Sequence, residues 1–381
     1  MVMDKRTPSQ AVDRVPAAFN QVPLLDYTMD HADIMLLLLL RFSLVPGWMR
    51  YPHWAGVSRV ELEGPNVNAI LTPYSDDASA AYSISLFAAN STVVKCVWGT
   101  ETILIRTYGK GTDALIDRNQ EMMNFVILSR SGLSPKVHGR FHNGFIYGYV
   151  DGIPFSASDL KHVEKYPLIA RHMARWHKVD ASDIIEPTSQ LFKTYYEWLD
   201  SIPEKFTNPS VDATVRSFIT IDRLRKELEN LEAELSKVDS PIVFCHGDVN
   251  PMNIIYDAES GKIDFIDYEY GFYRPRGFDL GNHFCEHTGF DCEWELYPNP
   301  EFQRKFLREY LEAYDSSKPV TEEDVTRACA EANKFSLASN LGWGIWGLVQ
   351  AELSDLEFDY PGYSKMRFDE YFRRKKAYLA M

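Results

Sequence analysis

The chain has few cysteines: there are five among 381 residues, and none stands in a Cys-x-x-Cys pair that could open a zinc site. An odd number without regular spacing is also unlike the framework of a small disulfide-bonded secreted domain. The sequence therefore predicts reduced, buried thiols in a cytoplasmic protein. The five are Cys96, Cys245, Cys285, Cys292 and Cys329.

An excess of positive charge is missing as well. Lysine and arginine together number 40 against 54 aspartates and glutamates, which gives a formal net charge of −14. Proteins that bind nucleic acid need a basic surface for the phosphate backbone, so nucleic acid is excluded as the main partner. An acidic chain can still bind a nucleotide, because a divalent cation and a local basic group offset the repulsion.

The chain also lacks an apolar run long enough to span a membrane. Residues 34–40 are seven consecutive apolar residues that end at Arg41, whereas a spanning helix needs about 20. The run begins too late for a signal peptide and lacks a cleavage site. We expect it to be a helix packed on an N-terminal lobe, with no membrane insertion. The polar residues 1–25 are expected to form a flexible tail.

Two short polar motifs are present instead. Residues 246–253 read His-Gly-Asp-Val-Asn-Pro-Met-Asn, and Asp-Tyr-Glu follows at 267–269. The first fits the H-x-D-x4-N loop of protein-kinase-like phosphotransferases, and the second supplies a carboxylate where such enzymes hold magnesium. Phosphoryl transfer depends on positioning and charge neutralisation. Asp248 is therefore the candidate that orients a substrate hydroxyl and accepts its proton, while Asn253 and Asp267 are candidate Mg²⁺ ligands.

The residues around these motifs predict the layout that this chemistry needs. An apolar run at 241–245 leads into the loop, and residues 253–256 and 262–266 read as two strands joined by turn residues at 257–261. Such a β-hairpin brings Asn253 and Asp267 to one end. The H-x-D-x4-N match alone is a weak signal, since His, Asp and Asn also cluster in ordinary turns. The hairpin and the second motif strengthen it.

Longer stretches of the sequence resemble the choline/ethanolamine kinase family. The likeness runs from about residue 101 to the end of the chain, roughly three quarters of its length. Its most specific parts are at 266–270, 276–286, 343–346 and 357–360. Features closer to the ethanolamine kinases within the family occur at 103–113, 117–118, 141–144, 245–246 and 253–256.

The resemblance implies a function and a fold. The function is transfer of the γ-phosphate of ATP to the hydroxyl of ethanolamine, or of choline, with ATP and Mg²⁺ as cofactors. This is the first step of phosphatidylethanolamine synthesis through CDP-ethanolamine. The implied fold is α+β and bilobal, like that of protein kinases. It has a small β-rich nucleotide-binding lobe at residues 26–150 and a larger, mainly helical catalytic and substrate-binding lobe at 151–381. Relatives of this kind are often dimers, which leaves a homodimer open.

The N-terminal lobe offers candidate nucleotide contacts. Arg106 lies in a β-rich run at 101–108, where a kinase small lobe places its phosphate-contacting cation, and a helical pattern at 113–131 offers Glu121 as its partner. From spacing alone, a surface arginine and a solvated glutamate explain the pattern equally well. The resemblance favours the functional pair. It also implies that adenine docks near the backbone of Tyr149 and Val150.

The phosphate loop is where the chain departs from the family pattern of paired glycines followed by Thr-Asn. Residues 64–71 keep one glycine and Asn68, but leave a long stretch before the strand with Arg106. Residues 87–92 lie at a better distance but contain no glycine. Glycines in such a loop let backbone N–H groups approach phosphates, and Pro65 would remove one donor. We favour the first segment, with Asn68 as the phosphate-loop residue.

The C-terminal lobe is predicted to be helical at 159–179, 213–238, 299–314, 322–357 and 364–378. On the fourth helix, Trp343, Trp346 and Glu357 recur at steps of three and four with Gln350 and Leu353, so they would share one face. Two indoles and a carboxylate suit a small ammonium group. Tryptophans at this spacing more often belong to a plain core, but Glu357 on the same face, in a chain that resembles kinases, favours the pocket.

Three further residues would complete this ammonium pocket: Tyr270, Glu286 and Tyr363. Ethanolammonium carries three N–H donors and needs acceptors such as Glu286, whereas a trimethylammonium group needs aromatic contact alone. Both kinds of group are present, so this criterion does not choose between ethanolamine and choline.

Supporting roles are expected for three residues close to the motifs. His246 and Asp279 are placed with the catalytic residues, because Asp279 is expected to anchor the loop through its backbone or through His246; helix N-capping is the alternative. Glu269 is expected to contact the metal directly or through a neighbour.

Three hypotheses for the whole chain follow. The first is an ATP:ethanolamine phosphotransferase. The second is a kinase for choline, another amino alcohol or an aminoglycoside. The third is a pseudokinase or binding protein whose altered phosphate loop no longer holds ATP productively. The intact set of Asp248, Asn253 and Asp267 argues against the third.

Overall fold

The structure, a computed structural model, describes residues 57–63, 68–73, 82–88, 91–98, 101–108, 117–354 and 356–381. They fall into two units. The first holds the described residues up to position 108 with Pro135–Tyr149, and the second holds those of Gly111–Ser134 and Val150–Met381. The predicted tail at 1–25 and the apolar run at 34–40 lie outside the described residues. The described residues 117–134, assigned above to the N-terminal lobe, group with the second unit.

Seven of the described strands form one antiparallel sheet in the first unit: β1 (Val57–Glu63), β2 (Asn68–Pro73), β3 (Tyr82–Ala88), β4 (Ser91–Trp98), β5 (Glu101–Tyr108), β6 (Val137–Phe141) and β7 (Gly144–Gly148). Their order across the sheet is β1-β2-β3-β4-β5-β7-β6. The β-rich run predicted at 101–108 is β5, whose β-branched residues suit a pleated, half-buried strand. It pairs with β4 on one side and β7 on the other.

The second unit is mainly helical. Its described helices are α1 (Arg118–Arg130), α2 (Tyr166–Trp176), α3 (Leu191–Ser201), α4 (Pro209–Phe218), α5 (Ile221–Leu235), α6 (Arg276–Glu286), α7 (Pro300–Tyr314), α8 (Glu322–Leu353) and α9 (Tyr360–Leu379). Two small antiparallel sheets accompany them, formed by β8 (Ile153–Pro154), β9 (Ile242–Cys245), β10 (Ile254–Asp257), β11 (Lys262–Phe265) and β12 (Phe272–Pro275). β10 lies between β11 and β8, and β9 pairs with β12. The α+β class is confirmed.

The observed helix ends differ from several of the predicted bounds. The helix predicted at 364–378 begins at Tyr360, after the cap residue Asp359. The segment 213–238 is two helices rather than one, because Thr220 is extended and its side chain accepts from the N–H of Arg223 to start α5. The segment predicted at 159–179 is α-helical only over α2, and its first residues belong to a short 3-10 helix at Ala157–Lys161. Pro167 stands in the first turn of α2, where a missing N–H costs nothing. The helix predicted to reach residue 357 ends at Leu353.

The core of the second unit surrounds α8. On α5, Leu224, Leu228, Leu231 and Leu235 recur at helical spacing and are all buried, while the residues between them face solvent. They belong to one apolar cluster with residues of α3, α8 and α9. Each buried leucine contributes about 1.5–3 kcal/mol relative to leaving it exposed. The amphipathic character predicted for this segment is confirmed, although its single-helix form is not.

Two simpler features of the described residues bear on the expectations from composition. None of the helices that the structure describes is long and apolar enough to cross a membrane. Cys245, Cys285 and Cys292 are buried free thiols, and Cys329 is half-buried.

The crossing of α6 over α8 is close because glycines stand at the contact. A Cβ added at Gly281 would lie 2.3 Å from the carbonyl oxygen of Ala332 and 2.6 Å from the backbone nitrogen of Ser336. One at Gly277 would lie 2.5 Å from the ring of Phe335. The backbone of α6 thus rests directly on α8, and this contact sets where the side chains of α6 project.

We expect Gly281→Ala to lower the free energy of unfolding by about 3 kcal/mol, because the obstructing atoms are α8 backbone that cannot rotate away. Gly261→Ala is the matched control: its φ is +67°, but nothing lies within 4 Å of the added Cβ. The control carries only the left-handed backbone penalty, roughly 1–2 kcal/mol. Urea unfolding of both variants measures the difference. Equal losses would contradict the close helix crossing.

Candidate active site

The two polar motifs lie at one end of a β-hairpin, as the sequence predicts. β9 ends at Cys245, residues 246–253 form the segment that we call the catalytic loop, and β10 pairs with β11 from Ile254 opposite Phe265 to Asp257 opposite Lys262. The N–H of Ile266 donates to the carbonyl oxygen of Asn253 at 3.0 Å. The hairpin therefore carries Asn253 and Asp267 at its open end.

Asp248 is held within the catalytic loop by two amide side chains. Its Oδ2 accepts from Nδ2 of Asn250 at 2.9 Å and from Nδ2 of Asn253 at 3.0 Å. The same Asn253 nitrogen also donates to the carbonyl oxygen of Asp248. Because its nitrogen faces Asp248, Asn253 keeps its side-chain oxygen as the atom that could coordinate a metal.

The electrostatic surroundings of Asp248 are acidic. Burial, the nearby carboxylate of Glu286 and that of Asp267 together raise the pKa of Asp248 to about 8, against the opposing hydrogen bonds from Asn250 and Asn253. A cation placed among several carboxylates favours their ionised forms and so lowers a pKa that was raised by like charge. The arrangement is therefore a site that favours bound positive charge.

Three carboxylates gather beside this loop. One ligand oxygen each from Glu121, Asp267 and Glu269 lie within 4.8 Å of one another. Arg118 is close to the group, with its Nη1 at 2.9 Å from Glu121 and 4.0 Å from Glu269. Asp267 has a φ of 66°, in the left-handed region that non-glycine residues seldom adopt and that is common at functional sites. An all-oxygen set of carboxylates, with the Asn253 amide, fits Mg²⁺.

His246 connects the catalytic loop to the strand that leads to Asp267. Its Nδ1 accepts from the N–H of Asp248 at 3.2 Å, and its Nε2 lies 3.0 Å from the carbonyl oxygen of Ile266, so Nε2 carries the proton. The ring is fully buried, 5.0 Å from the ring of Trp176, and burial lowers its pKa. A neutral, enclosed imidazole positions the loop and does not itself meet a substrate.

Asp279 anchors the start of the catalytic loop. Its two carboxylate oxygens accept from the backbone N–H of His246 at 2.7 Å and of Gly247 at 2.8 Å. These are the anchoring contacts expected from the sequence. Although burial alone would raise it, the hydrogen bond from His177 at 3.1 Å helps to hold the pKa of Asp279 below its ordinary value. Asp279 thus stays ionised and binds both amides.

The sequence analysis missed two residues of α6 that also hold the loop. Asn282 donates to the carbonyl oxygen of Gly247 at 3.3 Å, and Nδ1 of His283 donates to that of Val249 at 2.8 Å. With Asp279 and Glu286 they occupy positions i, i+3, i+4 and i+7, so they project from one face of the helix. A polar stripe at that spacing in an otherwise apolar helix was the available signal.

The predicted aromatic residues gather into what we call the aromatic cage: Tyr270, Trp343, Trp346 and Tyr363. Ring centroids are 5.2 Å apart for Tyr270 and Trp343, 5.5 Å for the two tryptophans and 6.4 Å for Trp346 and Tyr363. The indole N–H of Trp346 donates to the hydroxyl of Tyr270 at 3.1 Å. Glu286 belongs to the same region, since Arg367 donates hydrogen bonds both to its carboxylate and to the hydroxyl of Tyr363.

A buried arginine that the sequence analysis missed holds two of these groups. Nη2 of Arg367 donates to Glu286 at 3.1 Å, and its Nε donates to the hydroxyl of Tyr363 at 2.9 Å. Arg367 and Glu286 are 2% and 7% exposed, so the pair is almost withdrawn from water. Breaking such a pair costs about 3–5 kcal/mol. Arg367 therefore fixes the carboxylate that faces Asp248.

The prediction that Glu357 shares a helix face with the two tryptophans is wrong. The helix ends at Leu353, Ser354 is extended, and Glu357 is an exposed residue beyond the helix. Side-chain periodicity continues past the point where the backbone leaves the helix, and this misled the assignment.

The predicted nucleotide contacts of the first unit stay predictions. Arg106 is a buried residue of β5, opposite Phe145 of β7. Arg106 and Tyr149 lie in the first unit, whereas Glu121 and Val150 lie in the second. Asn68 begins β2, which is separated from β5 by two strands, β3 and β4. The second phosphate-loop candidate, residues 87–92, includes the end of β3 and the start of β4, and β4 pairs with β5.

Comparison with known proteins gives consistent likenesses. Residues 81–372 match the family described as choline/ethanolamine kinase. The chain is 34% identical over 320 residues to ethanolamine kinase 1 of Mus musculus, covering 82% of this chain and 88% of that protein. It is 39% identical over 290 residues to an ethanolamine kinase of Drosophila melanogaster, which covers 74% of this chain and 56% of the fly protein.

Among solved structures, the chain is similar to an ethanolamine kinase of Plasmodium vivax. The TM-score is 0.70 at 28% sequence identity, and the match covers 78% of this chain and 84% of that one. The protein-kinase-like fold predicted from the sequence is thereby confirmed.

We expect Asp279→Asn to loosen the catalytic loop. An amide has one acceptor oxygen, so a buried N–H of His246 or Gly247 would lose its partner, which costs about 1–3 kcal/mol. Amide hydrogen exchange in residues 244–250 should rise, and the free energy of unfolding should fall. The exposed Asp239 provides the control Asp239→Asn. Unchanged exchange in the loop would rule out the anchoring role.

Proposed function

Because this chain belongs to the choline/ethanolamine kinase family, we propose that it transfers the γ-phosphate of ATP to the hydroxyl group of ethanolamine. Curated relatives at 34% and 39% identity carry the name ethanolamine kinase. The reaction forms phosphoethanolamine and ADP. We place it in the cytoplasm as the first step of phosphatidylethanolamine synthesis through CDP-ethanolamine.

One observation carries the proposal: two other carboxylates help burial to raise the pKa of Asp248, and each of them belongs to a different cluster of side chains. One is Glu286, which lies with the aromatic cage, and the other is Asp267, which lies with the carboxylate cluster. An amino alcohol bound with its ammonium group near Glu286 presents its hydroxyl two carbon atoms away. Asp248 is then the side chain in position to receive that hydroxyl.

The residues divide the work as follows. The aromatic cage and Glu286 bind the ammonium group, because ring faces and a carboxylate both attract a cation. Asp248 orients the hydroxyl and accepts its proton as the oxygen forms its bond to phosphorus. Asn253 and Asp267, with Glu269 near them, would hold Mg²⁺, which neutralises charge on the phosphates. Arg106 is proposed to contact the phosphates together with the phosphate loop, for which Asn68 and residues 87–92 are the two candidates.

Choline is the alternative substrate, and the aromatic cage is what favours it. Four aromatic rings suit a trimethylammonium group, which needs no hydrogen-bond acceptor. The buried Glu286, fixed by Arg367, favours ethanolammonium, because each of its N–H groups needs an acceptor once it leaves water. The names of the relatives agree with the latter.

We expect Asp248→Ala to lower ethanolamine-dependent turnover by at least about 10²-fold, since it removes the general base. A coupled ADP-release assay with ethanolamine and choline side by side measures this. Asp183→Ala is the control, because Asp183 forms an exposed ion pair with Arg130, and such pairs contribute little. Turnover greater with choline would assign the second substrate. No turnover with either amino alcohol would leave a binding protein.

We expect Glu286→Gln to raise the KM for ethanolamine about ten- to hundredfold, the cost of losing a hydrogen bond to a charged group. The KM for choline should change less, because choline offers no N–H donor. Glu331→Gln is the matched control: Glu331 is a buried glutamate paired with Arg276, at a distance from the aromatic cage. Equal effects of Glu286→Gln on both substrates would contradict the role given to Glu286.

A further inference from the structure

A single buried side chain, Asn282 of α6, joins the aromatic cage to the catalytic loop. Its Oδ1 accepts from the indole N–H of Trp343 at 2.8 Å and from the hydroxyl of Ser339 at 2.7 Å. Its Nδ2 donates to the carbonyl oxygen of Gly247 at 3.3 Å. The side chain is fully enclosed, so these groups and not water determine its position.

The orientation of this amide follows from its partners. The indole nitrogen of Trp343 can only donate, so the atom of Asn282 that faces it must be the oxygen. The nitrogen then faces Gly247, whose carbonyl can only accept. The amide thus works in one direction, with its acceptor toward the aromatic cage and its donor toward the catalytic loop.

The peptide group that Asn282 holds is the one that leads into Asp248. Its carbonyl, from Gly247, accepts from Asn282, and its N–H, from Asp248, donates to Nδ1 of His246. Gly247 has a φ of +87°. A glycine at this point restricts the following peptide plane weakly, so the two hydrogen bonds at its ends hold the plane in place.

The other end of the connection is a wall of the aromatic cage. Trp343 is 8% exposed, and its ring packs against Tyr270 and Trp346. Its indole N–H donates to Asn282, and this hydrogen bond holds the side-chain torsion angles of Trp343. A cation that settles on the ring therefore meets a surface that is hydrogen-bonded, through one amide, to the peptide before the catalytic aspartate.

We propose that Asn282 is a positioning residue that couples occupancy of the aromatic cage to the placement of Asp248. The inference rests on the proposed function, and it adds a specific consequence to it. Trp343 contributes to turnover through its N–H as well as through its ring, and that contribution passes through Asn282.

The test separates the two bonds of the amide. Trp343→Phe keeps an aromatic face but removes the donor. Asn282→Leu removes both bonds. Asn282→Asp keeps the acceptor for Trp343 and Ser339 and replaces the donor to Gly247, so it serves if the leucine variant does not fold. For each variant and for the Trp343→Phe/Asn282→Leu double variant, kcat and KM for ethanolamine are measured, with ethanolamine affinity by calorimetry.

We expect Trp343→Phe to lower kcat about five- to tenfold, the scale of one hydrogen bond, while ethanolamine affinity changes less than about threefold. Asn282→Leu and Asn282→Asp should lower kcat at least about tenfold. The double variant should be no worse than Asn282→Leu, because both changes break the same connection. The coupling would be overturned if the kcat losses of the two single variants multiplied in the double variant. It would also be overturned if the variants changed only KM and ethanolamine affinity.

Asn333→Leu is the matched control. Asn333 is also a buried asparagine of the second unit, and its amide bonds to Gln303, to the hydroxyl of Tyr297 and to the carbonyl oxygen of Cys329. It should lose stability as Asn282→Leu does but keep kcat within about twofold. An equal fall in kcat would make the effect of Asn282 merely structural. If the wild-type protein shows no ethanolamine-dependent turnover, both the proposed function and the coupling are wrong. If the wild-type protein turns over ethanolamine but the kcat losses of the two single variants multiply in the double variant, only the coupling is wrong.

Discussion

The hydrogen bonds by which α6 grips the catalytic loop are the interaction on which the rest of the site depends. Asp279 holds two backbone amides before Asp248, Asn282 holds the carbonyl directly before it, and His283 holds the carbonyl directly after it. Asp248 is therefore placed by a helix and not by the preferences of its own loop. The helix is placed in turn by its glycine contact with α8, which carries both tryptophans of the aromatic cage. One helix crossing thus relates the residue proposed to receive a hydroxyl to the rings proposed to bind a cation.

Negative charge is the second constraint, and it explains how an acidic chain can handle an anionic nucleotide. Burial, with the nearby carboxylates of Glu286 and Asp267, raises the pKa of Asp248. Arg367 and Arg118 offset part of this charge, the one at Glu286 and the other beside Glu121 and Glu269. Further relief requires cations. An ammonium substrate and a divalent metal are the two cations that a kinase of this family would bring, so the charge that hinders folding favours both ligands.

The parts of the site that could be predicted from the sequence are those built from neighbours along the chain. The loop at 246–253, the hairpin that follows it and the pair of tryptophans three residues apart all rest on local patterns, and the structure brings them together. The end of α8 could not be predicted by the same means, because the steps of three and four residues continue to Glu357 while the backbone leaves the helix at Ser354. Arg367 was missed because its partner Glu286 lies 81 residues away in the chain.

Asn282 and His283 of α6 were also missed, although the spacing of polar residues along this helix was a signal for them. The residues from Gly277 to Glu286 are all buried, so the helix has no solvent-facing side on which polar groups could rest. Buried polar groups must find hydrogen-bond partners. The polar residues at positions 279, 282, 283 and 286 of such a helix must therefore have hydrogen-bond partners. Because their spacing places them on one face, these partners are expected in one neighbouring segment. What the sequence could not supply was the partner: the amides and carbonyls of a backbone loop carry no side-chain pattern, and 35 residues separate Asn282 from Gly247. A fully buried helix with a polar stripe is thus a reason to look for a functional loop across from it, even where no motif names that loop.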